Sequence, residues 1–263
     1  MRVATTTTSL LVRTRAMSHE GALTEWVSAE NPLTLQRLGH GFVGLGQALR
    51  LTFRGPNRFL DASTAWKELV DNAEIDDTVS VPGSGLMCFG TFTFSDHSSQ
   101  ESVLIIPQVV IGRQGSTSWR TNISITGDAP KTQSSRGSTP AEFAPLDWQP
   151  GLVSEEDYVA GVTGIISQVH EGVADKVVLA RDLVAHAPGM RDWRGAISRL
   201  TETYPDCQTF AIDGFVGSTP ETLARVDRGR LGIRVLAGSI ARGSNPADDR
   251  GKAQELITST KDN

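Results

Sequence analysis

With 263 residues, 38% of them hydrophobic and 21% charged, the chain has the composition of a folded globular protein, long enough for one large domain or two modest ones. Its formal net charge of −5 argues against nucleic-acid binding, which normally leaves a basic footprint. Neither the short apolar run before Arg13 nor any later stretch has the length of a signal core or a membrane span. A cytoplasmic protein with neither membrane nor nucleic-acid partners is expected.

In chain order, residues 3–18 read as a strand centred on Leu10, Leu11 and Val12. Residues 40–53 are punctuated by Gly41, Gly44 and Gly46 and read as paired short strands joined by turns. Residues 61–72 have helical spacing, with Ala62, Ala65, Trp66, Leu69 and Val70 on one face. Strand-like runs follow at 86–94, 103–111 and 118–125, and residues 127–150, rich in Ser, Thr, Gly and Pro, read as a connector. Cys88 and Cys207 lie far apart in apolar contexts and read as reduced small hydrophobes, not a disulfide or metal pair.

A helix then opens with Ser154 as N-cap and Asp157 three residues on, followed by an apolar stripe through Tyr158, Val162, Ile165, Ile166, Val169 and Val173. Residues 176–180 read as a β-branched strand and 193–203 as a second amphipathic helix. Short strands are expected at 209–212, 215–217, 223–226 and 231–236, and a last helix from 247 to 262.

Four signatures in this half occur in a fixed order: Lys-Val-Val-Leu-Ala-Arg (176–181), Gly-Ser-Thr-Pro-Glu (217–221), Leu-Ala-Gly-Ser (236–239) and Ser-Thr-Lys-Asp (259–262). Taken alone, Lys176 reads as a solvated edge charge. Enclosed against Val177, Val178 and Leu179, its amine would lose hydration and become a useful general base. Glu221 follows Pro220 on a stiff strand-exit turn. Turn glutamates are mostly exposed, but one aimed into a cleft could protonate a leaving hydroxyl. Ala237, Gly238 and Ser239 form either an ordinary tight turn or a set of free N–H groups and a hydroxyl for a carboxylate. Arg242 and the loop after it are equally open. The glycines at 41, 44 and 46 are out of order for a dinucleotide site. The five histidines lack zinc-ligand spacing.

The ordered set resembles the chorismate-utilising enzymes, and within them isochorismate synthase. The likeness is strong over residues 150–263 and weaker in 41–53 and 86–94. It implies an α+β fold of large, mostly antiparallel sheets with helices packed outside. It also implies a reversible, Mg²⁺-dependent conversion of chorismate to isochorismate, for menaquinone or, as a second option, siderophore synthesis. By the same resemblance Lys176 is the catalytic base that activates water, Glu221 the catalytic acid, and Gly238 and Ser239 contact substrate. Relatives that aminate chorismate place a non-basic residue where Lys176 stands, and aminodeoxychorismate synthases tend to carry lysine in place of Ala237, so the pair Lys176 and Ala237 favours water as nucleophile. Salicylate synthase shares the lysine and remains an alternative, as does a non-catalytic scaffold.

The resemblance places the Mg²⁺-binding glutamates beyond Asn263, so no metal ligand is expected within the chain and little turnover from these 263 residues alone. Residues 1–126 are expected to form a β-rich scaffold half, 127–150 a connector, and 151–263 the start of the catalytic portion. A monomer or weak dimer is expected.

Overall fold

In the computed structural model the described residues are 9–18, 21–126, 146–187, 192–227, 229–233 and 240–258. The first half contains β1 (Leu10–Ala16), a 3-10 turn (Leu23–Trp26), β2 (Leu33–Arg37), β3 (His40–Leu45), β4 (Leu49–Phe53), α1 (Arg58–Asp71) and β5 (Glu74–Asp77). It continues with β6 (Phe89–Thr91), β7 (Ser102–Ile106), β8 (Val109–Gln114) and β9 (Thr117–Ile125). The second half contains β10 (Trp148–Pro150), α2 (Glu155–His170), β11 (Leu183–Ala185), α3 (Arg194–Thr203), β12 (Gln208–Ile212) and β13 (Phe215–Thr219). It ends in β14 (Arg225–Asp227), β15 (Arg230–Gly232) and α4 (Pro246–Thr258).

The fold is α+β. Eight strands form one sheet in the order β13-β12-β2-β3-β8-β9-β1-β5, antiparallel throughout except where β1 and β5 run parallel. A second sheet has the order β4-β7-β6, and β10–β11 and β14–β15 form two-stranded ribbons. Successive residues of a strand face opposite sides, so the large sheet buries both faces. On β8, Val109 and Ile111 join Leu23, Val43, Ile197 and Ala211 on the side of α3. Val110, between them, packs with Leu10, Val12, Leu69 and Ile106 on the side of α1. Trp119 is fully buried beside its strand partner Gly112, where an added Cβ would come within 2.2 Å of the indole.

Several expected elements shift. The strands at 40–53 both form but do not pair with each other: β3 joins β2 and β8, whereas β4 joins β7 in the smaller sheet. The single run expected at 103–111 is two strands, separated by Pro107 and Gln108, that enter different sheets. The run at 86–94 keeps only β6. Within the expected connector, residues 148–150 pair with β11, and 127–145 lie outside the described residues.

The start of α2 is as expected. Ser154 Oγ accepts the Asp157 N–H at 3.0 Å, satisfying one first-turn donor. Gly172, at φ +76°, ends the helix: its N–H donates to the Val169 carbonyl at 3.1 Å and the Val173 N–H to that of Gln168 at 2.9 Å. None of the stripe from Tyr158 to Val169 is buried, however.

Candidate active site

Residues 176–180, expected as a strand, take no regular structure and have no strand partner; the strand begins only at Leu183. Lys176 is exposed, and Val177, Val178 and Leu179 are 48%, 82% and 37% exposed, so the expected apolar enclosure of the amine is absent among the described residues. The segment instead runs alongside α2. Tyr158 OH donates to the Leu179 carbonyl at 3.4 Å, the Arg181 guanidinium lies 5.9 Å from the Tyr158 ring centroid, and Arg181 reaches Glu155 at 3.6 Å. Asp182 completes the attachment, accepting the Gly151 N–H on its carbonyl at 3.1 Å and the Leu152 N–H on its carboxylate at 2.9 Å.

Glu221 is positioned by the β12–β13 hairpin. Asp213 and Gly214 turn the chain with φ of +53° and +80°, the backbone that a two-residue hairpin needs. The register pairs Phe210 with Gly217 and Gln208 with Thr219. Gly217 lets the Phe210 ring lie flat on the strand, since an added Cβ would meet Phe210 Cζ at 2.8 Å. Pro220 then ends the pairing, and the Glu221 N–H donates to Thr219 Oγ1 at 3.2 Å while its carboxylate is exposed.

Among the ion pairs of the described residues, none joins Lys176 to Glu221. Neither lines either of two cavities on the sheet. The first, about 580 Å³, is bounded by Glu30, Gln47, Arg50, Trp193 and Asp213. The second, about 640 Å³, is walled by Leu35, Phe92, Phe210 and Phe215. Gly238 and Ser239 lie outside the described residues, as do residues 259–262. Arg242, left open by its sequence, binds Asp249 in the first turn of α4 through Nε at 2.8 Å and Nη2 at 2.6 Å. That pairing makes it a helix-start contact.

Two charged groups that sequence reasoning did not single out carry clear electrostatics. Arg50 donates to both Asp213 oxygens, at 2.5 and 3.0 Å, and these hydrogen bonds hold the Asp213 carboxyl below the usual carboxylate range. Both cysteines are free, as expected, and burial pushes the Cys88 thiol up to about 11. Among the described residues no three His, Cys, Asp or Glu side chains are grouped to hold a metal ion, and no helix is long and apolar enough to cross a membrane.

Comparison with known proteins gives this arrangement a context. A family model described as "Chorismate binding enzyme" matches residues 33–263. Isochorismate synthase MenF of Bacillus subtilis is 26% identical, aligned with 90% of this chain and 55% of its own length. The salicylate biosynthesis isochorismate synthase of Pseudomonas aeruginosa is 36% identical over a shorter stretch, 39% of this chain and 22% of that protein. Among solved structures, the menaquinone-specific isochorismate synthase MenF of Escherichia coli superposes with a TM-score of 0.68 at 20% identity, covering 97% of this chain and 61% of that one. The chain thus spans between about half and three-fifths of the length of the relatives it matches from end to end.

Proposed function

Because the chain belongs to the chorismate binding enzyme family, matched from residue 33 to residue 263, we propose that the full-length protein is an isochorismate synthase. The reaction converts chorismate to isochorismate, and its product serves menaquinone synthesis. The observation that carries this reading is the likeness to an isochorismate synthase along nine-tenths of the chain.

In this reading Lys176, as the neutral amine, takes a proton from a water molecule as its oxygen bonds to one ring carbon. Glu221, protonated, gives its proton to the hydroxyl leaving a second ring carbon as the ring double bond shifts. One water is consumed and one released, so substrate and product are isomers, and base and acid exchange protonation states. The reverse reaction restores them. Residues 238 and 239 hold a substrate carboxylate through backbone N–H groups and a hydroxyl. Among the described residues Lys176 is exposed; desolvation or a neighbouring cation is what favours a neutral amine.

Mg²⁺ is the proposed cofactor; bound, it would neutralise substrate carboxylate charge. The described residues do not assemble its site.

The test is turnover of chorismate by the full-length protein with Mg²⁺, followed by product analysis. Isochorismate without free pyruvate is expected, with Lys176→Ala and Glu221→Gln each lowering kcat by about 10²-fold or more. Stoichiometric pyruvate would show a salicylate synthase instead. Unchanged kcat in both variants would remove the assigned pair.

A further inference from the structure

Among the described residues the segment that carries Lys176 has no strand partner, so something else must fix the segment. What holds it is the first two turns of α2. Leu179 rests against Gly161, where an added Cβ would stand 3.3 Å from Leu179 Cδ2. The Leu179 carbonyl takes the Tyr158 hydroxyl at 3.4 Å, and Arg181 lies over the same ring at 5.9 Å while reaching Glu155 at 3.6 Å. Each contact is weak alone: the hydrogen bond is long, the cation–ring distance is near its useful limit, and Glu155 is exposed.

Among the described residues, Arg181 also holds a buried Nη1 with no hydrogen-bond partner. An unmet buried donor is destabilising. An apolar side chain of similar length would cover the Tyr158 ring without that penalty. Stability therefore gives little reason for a guanidinium here, whereas placement does. We propose that Tyr158 and Arg181 are positioning residues: by anchoring the backbone at 179–181 to α2 they set where the amine of Lys176 stands. The inference rests on the reading of Lys176 as the general base.

The test uses the full-length protein and four variants, Tyr158→Phe, Arg181→Leu, Gly161→Ala and Lys176→Ala, each followed by kcat, KM, the pH profile of kcat and the thermal midpoint. Tyr158→Phe keeps the ring and removes only the hydroxyl. Gly161→Ala adds one methyl against Leu179 and, as a glycine-to-alanine change inside a helix, raises helix stability. Loss of positioning acts on the chemical step, so kcat should fall by about tenfold in Arg181→Leu and several-fold in the other two, with KM within about twofold of wild type. The acid limb of the pH profile should move, and Gly161→Ala should lose kcat while its thermal midpoint holds or rises. That combination cannot arise from destabilisation. If Lys176→Ala abolishes turnover while Tyr158→Phe and Gly161→Ala keep the wild-type kcat and pH profile, the positioning role is wrong and the base assignment stands. If Lys176→Ala retains turnover, both fall. Should Arg181→Leu fail to fold, the other two variants decide.

Discussion

Arg50 and Asp213 meet across 163 positions of sequence, one on the smaller sheet and the other at the β12–β13 turn that aims β13 toward Glu221. The Asp213 carboxyl is held low by the Arg50 hydrogen bonds. Its folded value is depressed, so its stabilising contribution is complete above the unfolded value near 4 and disappears as pH falls through the folded value. Asp213→Asn should therefore lower the thermal midpoint at pH 7. The two side chains are 31% and 35% exposed, so solvent screening limits the effect to between a few tenths and about 1 kcal/mol. Denaturation curves of both proteins should begin to approach each other as pH drops below about 4 and converge only once it has fallen through the depressed folded value of Asp213. A gap that persists after Asp213 has been fully protonated would mean that the carboxylate charge is not what stabilises the turn. Neither residue could be picked out from sequence, because a pair so distant shows no spacing pattern. Ser154, by contrast, was legible as an N-cap because its partner Asp157 is three residues away.

At the scale of elements, local pattern served well wherever a strand or helix finds cover close by. The helix at 61–72, the strand at 118–125 and the helix at 193–203 all form within a few residues of expectation. It served less well where pairing partners are remote. Residues 103–111 look like one apolar strand, but Pro107 cannot donate to a ladder, and the chain crosses there from one sheet to the other. Residues 176–180 have β-branched composition and still form no strand, since β propensity expresses side-chain packing on a sheet and they pair with no strand among the described residues. Gly112 makes the opposite case. Its reason is the Trp119 indole lying where a side chain would be, which only the β8–β9 register reveals. Gly112→Ala should destabilise by about 1–3 kcal/mol through overpacking, with loss of the fixed near-ultraviolet signal of Trp119. An unchanged denaturation midpoint would show that the indole can move aside.

The whole molecule divides sharply by burial. The large sheet encloses Val12, Val43, Val110, Ile111 and Trp119 completely. The described residues between 146 and 187 and between 220 and 258 include none that is buried, and Leu152, Val178 and Leu223 are 95%, 82% and 92% exposed. Exposed apolar side chains on this scale set these segments apart from the large sheet. Residues 1–126 and 151–263, expected to be a scaffold half and a catalytic half, are interleaved in the large sheet: β12 pairs directly with β2. Hydrogen exchange on the 263-residue chain should follow burial, with the amides of β8 and β9 slowest and those of α2 and α4 exchanging at least about 10²-fold faster. Equal protection throughout would show that the second half is packed in solution.

In the proposed reaction water is the nucleophile, activated by Lys176 and matched by proton donation from Glu221. The most direct measurement is conversion of chorismate by the full-length protein in ¹⁸O-enriched water, with mass analysis of the isochorismate formed in a single turnover. One solvent oxygen in the product hydroxyl, lost together with turnover in Lys176→Ala, is the predicted result. Isochorismate formed without solvent oxygen, or labelled at the wild-type rate by Lys176→Ala, would contradict it.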